Sequence, residues 1–237
     1  MRPAFELAVQ DTYGVAVAAR LGVDRIELCA ALPLGGVTPS LALIEAAADG
    51  PPAHVLVRPR AGGFDYTPDE ADLIVRDVRH ALTAGAAGVV VGGVRDGQVD
   101  DDLMIRVVDA AAGAPVTFHR AFDTLPDPAA AVETLVKLGV RRILTAAGPT
   151  TVGDALPALA ALVTVAAGRI EIMAGGGVRP DLIGPLVRTG VDAIHASAKR
   201  TVADTAGVRL GSAAPVGESG WETTDEQEAA RIITALR

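Results

Sequence analysis

The chain has few lysines, one cysteine and no long apolar run. Of its 21 basic residues only Lys137 and Lys199 are lysines. Neither falls within a strand read from the sequence, so Schiff-base chemistry finds little support, although Lys199 lies just past one. The single cysteine, Cys29, excludes an internal disulfide and suits a reducing cytoplasm. Net charge is −8, so the chain lacks the excess of basic residues that nonspecific nucleic-acid binding needs. The apolar stretch Ala155–Gly168 is 14 residues long and holds Pro157, short of the roughly 20 needed to span a membrane. The opening MRPAFELAVQD meets Glu6 too soon for a signal-peptide core. CxxC, HxH and HExxH are all missing. These absences point to a soluble cytoplasmic protein with no nucleic-acid or membrane partner. They leave homo-oligomer formation open.

Half of the 237 residues are hydrophobic, enough for a substantial core. Short apolar runs alternate with amphipathic segments. Strands are read at Ala4–Val9, Arg25–Cys29, His54–Arg58, Gly88–Gly92, Val116–His119, Arg142–Thr145, Ile170–Ala174 and Ala193–Ser197. Thr67-Pro68-Asp69-Glu70 carries an N-cap, a proline at the first helical position and a capping-box glutamate. Thr38-Pro39, Asp127-Pro128 and Arg179-Pro180 read as further helix entries, and a last helix spans Asp225–Leu236. LGVDRIEL, AGAAGVVV, LGVRRILT and TGVDAIHA repeat one helix–glycine–strand junction, at Gly22, Gly85, Gly139 and Gly190. Eight such repeats predict a single (β/α)8 barrel over residues 1–237, with an irregular segment near 205–221. A doubly wound open sheet is the alternative, but the first strand lacks a GxGxxG turn.

In such a barrel helices cover the outer face of every strand, so an ionisable mid-strand residue points inward. Glu6, Glu27, Arg58, Thr117, His119, Glu171 and His195 are of this kind. Interior carboxylates need paired cations or raised pKa values, and Glu27 with Arg58, on neighbouring strands, is the expected pair. The same charges could instead form a structural network closing the barrel. Catalytic groups of this fold sit at C-terminal strand ends, where VTFHRAFD places His119, Arg120 and Asp123. His119 is the candidate acid or base, oriented by Asp123 or a glutamate such as Glu27 or Glu171. Arg58 and Arg60 could clamp an anion, joined by Arg120 and His195. Gly175, Gly176 and Gly177 after the seventh strand, with Ser197 after the eighth, could receive a phosphate. Metal signals are weak. Cys29 is the candidate metal ligand, and Met104 and Met173 read as packing residues. His54 and His80 read as structural or surface positions.

The ordered set RIELC (25–29), GGVTPS (35–40), VRPR (57–60), GFDY (63–66), DGQVD (96–100), TFHRAFD (117–123), ILT (143–145), IMAGGGV (172–178) and HAS (195–197) resembles the CutC family, known as copper homeostasis proteins. It covers most of the chain. The resemblance implies a TIM barrel, a cytoplasmic location and a link to copper tolerance or copper binding. Two departures stand out. Thr145-Ala146-Ala147-Gly148 replaces Thr-Ser-Gly-Gly, and Ala30-Ala31-Leu32-Pro33-Leu34 replaces a more polar loop. Three functional expectations follow: Cu(I) binding involving Cys29, enzymatic acid–base chemistry on a small anionic, phosphorylated or sugar-like substrate, or a scaffold acting through its surface.

Overall fold

The structure, a computed structural model, describes residues 2–148, 151–203 and 220–237. Eight strands form the barrel: β1 (Ala4–Val9), β2 (Arg25–Leu28), β3 (Ala53–Leu56), β4 (Gly88–Val91), β5 (Val116–Phe118), β6 (Arg142–Thr145), β7 (Glu171–Ala174) and β8 (Ala193–Ala196). They are parallel and close in the order β1-β8-β7-β6-β5-β4-β3-β2. The helices are α1 (Thr12–Leu21), α2 (Leu41–Ala47), α3 (Pro68–Thr83), α4 (Asp101–Ala111), α5 (Pro128–Lys137), α6 (Leu156–Ala166), α7 (Ile183–Arg188) and α8 (Glu226–Ala235).

Alternation along each strand separates two environments. Phe5, Leu7 and Val9 of β1, Ile26 and Leu28 of β2, and Val55 of β3 join the helices in the main hydrophobic core. The alternate residues turn inward, where apolar contacts shrink to two small groups: Cys29 with Leu56 and Val90, and Leu144 with Met173 and Ala193. The rest of the interior is polar.

Local chemistry sets the boundaries. Thr67 and Glu70 form a capping box on α3, and Asp127 caps α5 with Pro128 at its first position. Gly22, Gly85, Gly139 and Gly190 all adopt positive φ at the repeated junction. Strand ends shift by a residue or two, and two boundaries differ more. Helix α2 starts after Ser40, whose hydroxyl accepts from Leu43 N–H, and not at Thr38-Pro39, because Thr38 is held in extended contact with Arg58. Gly220 and Trp221, expected in an irregular segment, begin a strand (Gly220–Thr224) that pairs antiparallel with Lys199–Ala203. The remainder of that expected segment lies outside the described residues. A second small hairpin pairs Val94–Arg95 with Gln98–Val99. Among the described residues no helix is long and apolar enough to cross a membrane.

Candidate functional site

The polar interior has two ends. At the N-terminal end Arg142 Nε donates to Glu171 Oε2 (2.7 Å) and its Nη1 to Thr117 Oγ1 (3.1 Å), with His54 Nδ1 at 3.5 Å. Arg141 also donates to Glu171 (3.0 Å). Burial pushes His54 down to about 4, so it is neutral. His54, Arg141, Arg142 and Glu171 line a cavity of about 470 Å³ that also includes Arg25. Glu171, expected among the catalytic group, therefore lies at the opposite end from the strand-end residues and is neutralised by two arginines.

Midway along the barrel, register brings Glu6 of β1 beside His195 of β8 and Arg25 of β2. Glu6 is fully buried and accepts from both, at 2.8 Å from His195 Nδ1 and 2.6 Å from Arg25 Nε. Burial opposes its charge, but His195 and Arg25 hold its carboxyl well below the usual range. Glu27 joins them: ligand-capable atoms of Glu6, Glu27 and His195 lie within 4.8 Å of one another. Glu27 is 6% exposed and its Oε2 has no hydrogen-bond partner. Burial pushes it up to about 7, and Glu6 adds to that shift while His195 works against it. For His195 burial works against the proton, and Glu27 and Glu6 overcome it to raise the pKa.

The expected Glu27–Arg58 pair does not form. Arg58 reaches instead over the loop after β2, where Nη1 donates to the carbonyls of Leu34 (3.1 Å) and Gly36 (2.7 Å), and Nη2 donates to Gly62 (2.8 Å). Its Nε is buried without a partner. The Phe64 ring lies 5.4 Å from the guanidinium and 5.0 Å from the ring of His119. Arg60 is tied to Glu70 and to the carbonyls of Gly63 and Asp65, and stacked on Tyr66. Tyr66 is buried and its hydroxyl lacks a partner.

His119 caps the short 3₁₀ turn Arg120–Thr124 by accepting the Ala121 N–H at Nδ1 (3.1 Å). This acceptor role places the ring proton on Nε2, which is buried and unpartnered. Burial, reinforced by Arg58, pushes His119 down to about 3. Held neutral, it is a donor rather than a base. Neither Asp123 nor a glutamate orients it. Asp123 accepts from Thr145 Oγ1, from Ala146 N–H (3.1 Å) and from Arg120 Nε (2.7 Å), so it fastens the turn after β5 to the end of β6.

Gly175, Gly176 and Gly177 follow β7. A Cβ at Gly175 would lie 2.5 Å from Leu144, and one at Gly176 would lie 3.1 Å from the guanidinium carbon of Arg120. Arg120 and the glycine loop are thus neighbours, with half-buried Ser197 at the adjacent end of β8. Lys199 is paired with Glu222 on the hairpin (2.7 Å).

Two residues that sequence reasoning passed over, Arg25 and Tyr66, contribute here. Arg25 was masked by its place in the repeated junction, and Tyr66 by its place in a glycine-rich loop.

With this geometry in view, the model describing the CutC family matches residues 4–200. The chain belongs to the CutC family. A CutC family protein of Agrobacterium fabrum is 42% identical over 234 residues, 98% of this chain and 93% of the relative. Another, from Caulobacter vibrioides, is 43% identical over 199 residues, covering 83% and 81%. The crystal structure of a CutC from Streptococcus agalactiae superposes with a TM-score of 0.78 at 30% identity, over 83% of this chain and 99% of that one. A deoxyribose phosphate aldolase from Aeropyrum pernix shares the barrel alone, with a TM-score of 0.64 at 16% identity over 81% and 85%.

Among the described residues Cys29 and Met173 sit in separate groups inside the barrel and do not form a Cu(I) site, which takes thiolate and thioether ligands. Burial, aided by Glu27, pushes the Cys29 thiol far above its usual range, and its Sγ faces the Val9 carbonyl at 3.7 Å. Met173 packs in the other interior group, and its sulfur accepts from Arg25 (3.1 Å).

Proposed function

We propose that this CutC protein is an enzyme that binds a small anionic, phosphorylated or sugar-like molecule at the C-terminal strand ends and polarises one of its oxygens. One observation carries the reading. Among the described residues four buried side-chain atoms lack a partner: Glu27 Oε2, Arg58 Nε, Tyr66 Oη and His119 Nε2. Native proteins rarely leave such groups unsatisfied, and these four come from β2, the end of β3, the loop behind it and the end of β5. Three are donors, suited to an oxygen that gains negative charge. Neutral His119 supplies an uncharged N–H, an electrophilic role known from other barrel enzymes. Arg58 is already aimed by three carbonyls, so it needs no reorganisation on binding. The glycine loop, Arg120 and Ser197 suit the anionic end of the ligand. Glu27 is the one acceptor of the set.

A thermal-shift screen of carboxylated and phosphorylated metabolites tests this. A ligand at about 100 times its Kd stabilises by about 2.7 kcal/mol, roughly 5–10 °C for a chain of this size. We expect a shift of that order for at least one anionic compound, and its loss in His119→Asn and Arg58→Gln. No stabilisation by any anion, or shifts that survive both substitutions, would end the proposal.

Family membership supports a second reading, a part in cytoplasmic copper homeostasis, the role carried in the name of the S. agalactiae relative. Cys29 is not needed for it. Copper sensitivity of a deletion strain, with tolerance restored by the Cys29→Ser variant, is the expected result.

A further inference from the structure

We infer that Glu27 and His195 ligate a divalent transition-metal ion inside the barrel, with Glu6 holding His195 from behind. This goes beyond the substrate reading, which takes its donors from Arg58, Tyr66 and His119 and counts Glu27 only as an acceptor.

The argument starts from charge. Glu6 is compensated by Arg25 at 2.6 Å, whereas Glu27 has no hydrogen bond to any cationic side chain among the described residues. A buried, unpartnered carboxylate oxygen is costly unless it takes up a proton or a cation meets it. Glu27 belongs to a cluster in which one donor atom each of Glu6, Glu27 and His195 lie within 4.8 Å of one another, a spacing that one ion can bridge.

The imidazole is held from one side. Its Nδ1 faces Glu6 at 2.8 Å, and among the described residues its Nε2 has no partner. A carboxylate behind the distal nitrogen is the arrangement that fixes a metal-bound histidine and raises its basicity. Glu6 is itself fixed by Arg25, so the support is rigid.

The donor types select the ion. Oxygen with imidazole nitrogen suits Zn²⁺, Co²⁺ or Mn²⁺, while Ca²⁺ and Mg²⁺ favour oxygen alone and Cu(I) favours sulfur. With two protein ligands, further positions stay open on the ion.

The test is calorimetric titration of the chelator-stripped full chain with Zn²⁺ and Co²⁺. We expect one equivalent of each to bind. Glu27→Gln and His195→Asn should each weaken binding at least about 100-fold, and Glu6→Gln about 10–100-fold. Cys29→Ser should leave it unchanged. Absence of binding, or binding unaltered by Glu27→Gln in a folded variant, overturns the site. Should the variants fail to fold, the Co²⁺ spectrum of the wild-type protein decides. An oxygen–nitrogen site lacks a near-ultraviolet thiolate band, and a band abolished by Cys29→Ser would refute the assignment. The ligand screen is run in chelator, so either proposal can fail alone.

Discussion

At Gly92 a side chain would run into Nδ1 of His119, and on its other side the histidine packs against Phe64. This enclosure keeps water from the ring and explains its low affinity for protons. The consequence for stability has a definite sign. In the unfolded chain a histidine takes its proton near pH 6.5, while folded His119 resists until about 3. Its contribution is therefore present above pH 6.5 and is lost progressively as pH falls toward 3. Between pH 7 and pH 4.5 that loss is about 2–3 kcal/mol. His119→Asn, which can still accept from Ala121 N–H, should show a correspondingly flatter fall in urea-denaturation stability over this range. An unchanged acid limb would show that His119 is not shielded in solution.

Among the elements, α1 shows how one residue can serve two structures. Asp11 accepts the Gly14 N–H through Oδ1 (2.6 Å) and the Thr223 hydroxyl through Oδ2 (2.7 Å), so the cap of the helix also anchors the second strand of the Lys199–Ala203 hairpin. Asp11→Ala should cost about 1–2 kcal/mol in chemical denaturation, and Asp11→Asn distinctly less. Such long-range anchoring is invisible in the sequence, where Asp11 and Thr223 are 212 residues apart. The eight barrel strands were legible as short apolar runs, all but the first preceded by helical segments. The hairpins were not, because KRTVA, GWETT, VR and QV are largely polar or charged and lack an apolar run. Inward orientation of Glu6, Glu27, His119 and His195 followed from alternation, but partner choice did not. Arg58 is long enough to pass over Glu27 and find carbonyls of two loops, and Arg25 rather than Arg58 came to compensate a glutamate. Asp123 likewise found Thr145 across the strand end, a contact that depends on the turn it sits in.

At the scale of the whole molecule the charged interior divides into two tasks. The N-terminal layer built on Arg142, Glu171, Thr117 and His54 has its donors and acceptors matched, whereas the unpartnered atoms gather toward the other end. The first layer reads as closure and the second as function. Arg142→Met should therefore destabilise by about 2–3 kcal/mol, less than the 3–5 typical of fully buried pairs because Glu171 is 25% exposed. It should leave ligand and metal binding intact; loss of binding in a folded Arg142→Met protein would join the two layers functionally. One more consequence lies in the seam between β1 and β8. Glu6 and His195 are 189 residues apart and meet only when the last strand docks on the first. Open intermediates therefore hold neither member of the pair in place, and a ligand that grips His195 would act as a latch on the closed ring. Bound protein should then unfold more slowly, with the seam as the part whose opening the ligand resists.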